Sequence, residues 1–172
     1  AFDYGELFSF INNINPGLDL ISKVKLSEHY RFEEVLESHS NLKYLKFILI
    51  HDADFVTFLE NAWEEWRQTG YAGEAMASVW PARRMQCRAP RFIEGKMGYY
   101  ALAAETSITE GTWAAALSSK DVALTGARAL AEGEQGIFSL CRPPGHHAAR
   151  DMFGGSCFLN NAAIAAPHLL HA

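Results

Sequence analysis

The 172-residue sequence has no excess of positive charge, no long apolar run and few cysteines. Its 15 lysines and arginines are outnumbered by 20 aspartates and glutamates, and the net charge of −5 disfavours nucleic acid as a partner. Apolar stretches such as residues 47–50 are far shorter than the roughly 20 residues that cross a bilayer, so no membrane span is expected. No charged region followed by an apolar core opens the sequence, so no signal peptide is expected. Three cysteines without a C-x-x-C pair are typical of a reducing compartment, and we expect a cytoplasmic protein.

What the sequence does contain suits a globular domain, with 49% hydrophobic and 20% charged residues. Apolar residues recur at helical spacing over residues 52–67, and residues 111–132 form an alanine-rich pattern that predicts the longest helix. Residues 68–95 predict a long loop, and residues 137–141 (IFSLC) predict a buried strand. A last helix is predicted from Asn160 to about Leu170, with a bend or stop at Pro167. This order of elements favours an α/β fold with a parallel sheet.

Two adjacent histidines, His146 and His147, follow the predicted strand on a loop that contains Pro143 and Pro144. Open α/β sheets place their sites beyond the carboxyl ends of strands, and imidazole is the usual general acid or base near neutral pH. Gly155, the second of two glycines that follow, would let backbone approach a ligand closely. From these residues alone, a surface pair of histidines without function remains the alternative.

The surrounding motif decides between the two. Residues 141–148 (CRPPGHHA) and 152–166 (MFGGSCFLNNAAIAA) resemble the signature of the histone deacetylase superfamily. Residues 51–55, 63–73, 93–100 and 105–113 are similar to the acetylpolyamine amidohydrolases of that superfamily. The resemblance implies an arginase/deacetylase-like parallel sheet flanked by helices, here only its N-terminal part. It divides the chain into a weakly matching segment, residues 1–50, and the N-terminal half of a deacetylase domain, residues 51–172.

The resemblance also implies roles for individual residues. His147 would be the general base and His146 an electrostatic catalyst, while Gly155 would offer its backbone carbonyl to the scissile amide. Ser156 stands where the family usually carries an aromatic wall of the substrate tunnel, so a wider tunnel is expected. Glu94 and Glu105 match acids that meet the cationic amines of an acetylated polyamine. The loop before them resembles an insertion that builds a dimer contact, so a homodimer is expected.

The family's zinc cofactor has no recognisable ligands in this sequence. A catalytic zinc site needs three protein ligands, and the adjacent histidines are not ligands in the family. His168 and His171 are spaced by three residues, but they lie beside Pro167, and a substitute site there is disfavoured. The metal ligands of this chain are therefore predicted to be none.

The favoured interpretation is a fragment of a zinc-dependent deacetylase that acts on a small cationic acetylated substrate and is inactive alone. A natural short form would expose an apolar sheet edge, which a partner chain would have to cover. Two alternatives stay open. One is a deacetylase of acetyl-lysine in peptides, and the other is a non-catalytic oligomerisation or binding module.

Overall fold

A computed structural model describes residues 50–82 and 86–169 of the chain. The weakly matching segment, residues 1–50, lies outside the described residues apart from Ile50, and so does His171. Four helices occur in the described part: α1 (Ala53–Gln68), α2 (Ile93–Tyr100), α3 (Thr112–Ala131) and α4 (Asn161–Leu169). No helix among these residues is both long enough and apolar enough to span a bilayer.

Helix α1 forms where the apolar repeat predicted it. Phe55, Phe58, Leu59 and Ala62 are buried, and they recur at the three- and four-residue spacing that places side chains on one face of a helix. Asp52 precedes the first turn in an extended conformation, although its carboxylate does not cap the helix. That carboxylate instead accepts a hydrogen bond from the Arg150 guanidinium at 2.5 Å, which ties the start of α1 to a distant segment.

Helix α2 was not predicted, because its eight residues include two glycines and carry little amphipathic pattern. It packs against α1 and ends at Tyr100, whose ring stacks on Phe58 with 4.5 Å between centroids. A Cβ atom at Gly98 would lie 1.5 Å from the Val79 carbonyl oxygen, so the backbone of the preceding loop crosses the helix at this position. Glycine is therefore required there by close backbone approach.

An aromatic core joins this helix pair to the segment around residue 153. The Phe153 ring stacks on Phe58 at 6.0 Å and on Phe158 at 5.7 Å between centroids. The backbone N–H of Phe153 donates to the Tyr100 carbonyl at 2.8 Å, and the N–H of Leu102 donates to the Phe153 carbonyl at 2.7 Å. These two bonds form a parallel bridge between residues 101 and 153, next to the predicted site.

Helices α3 and α4 form the second packed pair. Helix α3 coincides with the predicted long helix within one residue at each end. Helix α4 continues through Pro167 to Leu169, so it does not stop at the proline, and a bend there stays a prediction. Proline removes only one helical donor at that position, and the last turn extends past it.

The prediction of a strand at residues 137–141 is also corrected by the structure. No strand is formed there, and Phe138 and Leu140 are 87% and 78% exposed rather than buried. A strand forms only when a neighbour accepts its backbone hydrogen bonds, and no described segment pairs with these residues. The described residues contain isolated bridges only, so the parallel sheet stays a prediction.

Candidate active site

The two histidines occupy the centre of a tight turn, which we call the histidine turn (residues 145–148). The Ala148 N–H donates to the Gly145 carbonyl at 3.1 Å, so His146 and His147 are its two central residues. Both side chains are exposed, and their ring centroids lie 4.2 Å apart. The imidazoles are therefore presented to solvent rather than packed in the core.

A second turn, the glycine turn (residues 154–157), lies against His147. Reciprocal hydrogen bonds of 3.0 and 2.9 Å join the backbones of Gly154 and Cys157. Gly155 and Ser156 have φ values of 56° and 61°, the left-handed pair that a type I′ turn requires. A Cβ atom at Gly155 would lie 2.5 Å from the His147 ring, so only glycine allows this contact without displacing the imidazole. The sequence analysis singled out both Gly155 and His147, and the structure brings these two residues together.

The two predicted acids occupy different places. Glu105 is exposed and precedes Thr106, whose hydroxyl accepts a hydrogen bond from the Ser156 N–H at 2.9 Å. That bond attaches the Glu105 segment to the glycine turn. Glu94 instead lines an open groove of about 570 Å³ between α1 and α2, together with Glu65 and Lys96, which are 2.6 Å apart. No residue of the histidine turn lines that groove.

A buried histidine behind the site was not predicted. His51 is fully buried beside Phe55, and its Nε2 accepts a hydrogen bond from the Asn160 N–H at 3.0 Å. Its Nδ1 then carries the proton, which it donates to the Arg150 carbonyl at 3.2 Å. Burial lowers the pKa of His51 below its ordinary value of 6.5 because the interior disfavours the charged form. The residue is therefore a neutral link between distant segments.

The described residues do not fit a zinc site. Within residues 50–82 and 86–169 there is no group of three or more histidine, cysteine, aspartate or glutamate side chains that could hold a metal ion. His168 lies in α4, and its suggested partner His171 is outside the described residues. All three cysteines of the sequence are described, and each is free.

Comparison with known proteins assigns the chain to a group. The family model of the histone deacetylase domain matches residues 18–172. An acetylpolyamine amidohydrolase of Mycoplana ramosa is 58% identical over 121 residues, which cover 70% of this chain and 36% of that protein. Acetylpolyamine amidohydrolase 2 of Pseudomonas aeruginosa is 51% identical over 121 residues, with 70% and 35% coverage.

A solved structure gives the same grouping. The crystal structure of an acetylpolyamine aminohydrolase from Burkholderia pseudomallei superposes with a TM-score of 0.67 and 35% sequence identity. The match covers 74% of this chain and 37% of that one. The chain thus spans about a third of the length of the curated relatives that it matches.

Proposed function

This chain belongs to the histone deacetylase domain family, and from that membership we propose that its whole protein removes acetyl groups from acetylated polyamines or similar cationic acetamides. The names of its relatives support the substrate class. The observation that carries the proposal is the contact between the two turns, where an exposed His147 ring lies against Gly155. The proposed general base therefore lies against the residue whose backbone carbonyl is proposed to meet the scissile amide N–H.

The proposed reaction is the attack of water on the acetamide carbonyl. A bond forms between the water oxygen and the carbonyl carbon, the C–N bond breaks, and acetate and a free amine are released. His147 takes the proton of the attacking water, and the departing amine receives a proton in turn. The ring centroid of His146 lies 4.2 Å from that of His147. His146 acts electrostatically on the charge that develops on the reacting groups.

Zinc belongs to the proposal for the whole protein. Its role in this chemistry is to polarise the acetyl carbonyl and activate water. Because the described residues contain no group of three or more candidate ligand side chains, at least part of its ligand set would come from outside residues 50–82 and 86–169. The contribution of this chain is the histidine turn, the glycine turn and Glu105, with Glu94 as a second candidate acid elsewhere on the surface.

Glu105 supports a cationic substrate. The hydrogen bond between Thr106 and Ser156 holds the backbone next to Glu105 at the glycine turn, which supports a role for this carboxylate at the rim of the proposed site. An acetylated polyamine keeps positively charged amines, and a carboxylate at the rim favours its binding and approach. Ser156 is exposed and small, which suits an open rim. Glu94 remains a second candidate acid, on the wall of the groove between α1 and α2.

The test compares acetate release from acetylputrescine and from an acetyl-lysine peptide by the whole protein. We expect faster turnover of acetylputrescine, and the substitution Glu105→Ala should raise KM for it by roughly 2- to 5-fold, the loss of one exposed ionic contact. Glu132→Ala, at the end of α3, removes the same charge away from the turns and should leave KM unchanged. If acetate is released from neither substrate, the proposal is contradicted. Indifference to Glu105→Ala, or faster turnover of the peptide, would favour the acetyl-lysine alternative.

A homodimer and a cytoplasmic location complete the proposal. The loop between α1 and α2 exposes several large apolar side chains, and exposed apolar clusters are typical of interaction surfaces. They are Tyr71, Met76, Val79, Trp80 and Phe92. Sedimentation of the whole protein should give a dimer mass, and a non-catalytic module would give the same mass without acetate release. Three free cysteines support a reducing compartment.

A further inference from the structure

Two consecutive asparagines at the start of α4 bond to both sides of the histidine turn. The Asn160 side-chain amide donates to the Ala148 carbonyl at 3.0 Å, directly after His147. The Asn161 side-chain amide donates to the Pro143 carbonyl at 3.3 Å, before the turn begins. We propose that Asn160 and Asn161 are positioning residues that hold His146 and His147 in place for the reaction proposed above, on which this inference rests.

The contact on the Pro143 side is buried and doubled. The Ser119 hydroxyl of α3 donates to the same Pro143 carbonyl at 2.6 Å, and the Asn161 amide also donates to the Ser119 oxygen at 2.9 Å. Ser119 and Asn161 are 2% and 5% exposed. Gly145, the first residue of the histidine turn, packs on the start of α4, since a Cβ atom there would be 2.5 Å from the backbone nitrogen of Asn161. The histidine turn therefore rests directly on the first residue of α4.

The contact on the Ala148 side is supported from behind by His51. Its neutral ring accepts the backbone N–H of Asn160 and donates to the Arg150 carbonyl, two residues after Ala148. One rigid ring makes both bonds, with Nε2 as the acceptor and Nδ1 as the donor. Asn160 is thus fixed by its backbone while its side chain holds the turn, and local packing around α4 determines the position of His147.

Asn160 has two separable tasks. Its side-chain oxygen accepts the Ala163 N–H at 3.0 Å, which caps α4, and its side-chain amide holds Ala148. Serine is as good an N-cap as asparagine but lacks the amide donor, whereas alanine has neither group. Asn160→Ser therefore removes the bond to the turn and keeps the cap, while Asn160→Ala removes both.

The experiment measures kcat, KM and thermal stability of the whole protein with acetylputrescine. We expect kcat to fall roughly 10- to 100-fold in both Asn160 variants, the cost of a small displacement of a catalytic group, with KM within about twofold. The melting temperature should fall clearly only in Asn160→Ala, because only that variant loses the cap. Asn61→Ser on the exposed face of α1 is the matched control and should change none of these values.

A kcat of Asn160→Ser equal to that of the unsubstituted protein would overturn the inference, and so would a kcat that follows stability across all three variants. Failure of the proposed function is recognised separately, as absence of acetate release by the unsubstituted protein. In that case the imidazole NMR resonances of His146 and His147 decide. Resonances shifted in Asn160→Ser but not in Asn61→Ser support the positioning role, and unchanged resonances overturn it.

Discussion

The histidine turn and the five residues that precede Arg142 are neighbours in sequence and differ in how they are held. The turn has side-chain hydrogen bonds on both sides, from Asn160 and Asn161, and it rests on α4 through Gly145. Residues 137–141 touch α3 on one side, where Ile137 and Ser139 approach Gly126, while Phe138 and Leu140 face solvent. The difference shows that the histidine turn is built from contacts within the described residues, whereas a strand depends on neighbours that these residues do not supply.

The largest expected effect comes from comparing two phenylalanines, Phe138 before the histidine turn in sequence and Phe158 after it. Phe158 is buried against Phe153, so Phe158→Ala should lower the free energy of unfolding by about 3–5 kcal/mol. Phe138 is exposed, and Phe138→Ala should change that free energy by no more than about 0.5 kcal/mol in the 172-residue chain. Urea unfolding of both variants measures the difference. Equal losses would mean that residues 137–141 are packed as the sequence pattern predicted.

A smaller effect is expected from a pair of glycines with positive φ. Gly155→Ala should destabilise the protein by roughly 1–3 kcal/mol through backbone strain, and its Cβ would also push the His147 ring away. Gly73→Ala carries the same kind of strain, but no atom lies within 4 Å of its Cβ. Acetamide turnover of the whole protein should therefore fall in Gly155→Ala and stay unchanged in Gly73→Ala. Equal turnover in the two variants would show that the contact between Gly155 and His147 does not affect turnover.

The smallest expected effect is the pH dependence that His51 imposes on stability. Its pKa is lowered in the folded state and is about 6.5 in the unfolded chain, so the unfolded state binds more protons below that pH. The His51 contribution is fully present above pH 6.5 and is lost as pH falls toward the lowered folded pKa, by at most about 1.4 kcal/mol per pH unit. Urea unfolding between pH 7.5 and 5 measures the slope.

His51→Gln is the matched variant for this measurement. Glutamine offers an NH2 donor group and a carbonyl acceptor but does not titrate, so the variant should keep most of the stability at pH 7.5 and lose part of the slope below pH 6.5. An unchanged slope would show that other groups cause the acid sensitivity.

Sequence patterns predicted the long helices well and the long-range contacts poorly. Helices α1 and α3 carry their own periodicity and stops, while α2 is short and interrupted by Gly95 and Gly98. The interpretation of residues 137–141 as a strand was wrong because an apolar run reports burial only when a partner is present. For the site, resemblance indicated His146, His147 and Gly155.

The groups that hold the histidine turn could not be predicted in the same way. His51 meets Asn160 across 109 residues, and Ser119 meets Asn161 across 42. A single histidine before a helix and a serine within one have no periodic pattern that points to these partners. Asn160 and Asn161 stand at the start of the predicted last helix, but the Asn160 cap and the bonds to Ala148 and Pro143 appear only in three dimensions.

The central claim is that the exposed imidazole beside the glycine turn is the base that cleaves an acetamide. Its most direct test is the turnover of acetylputrescine by the whole protein carrying His147→Ala. Turnover should fall by about 10²- to 10⁴-fold, the usual contribution of a general base, while the circular dichroism spectrum and melting temperature stay unchanged because the side chain is exposed. Turnover close to that of the unsubstituted protein would contradict the claim.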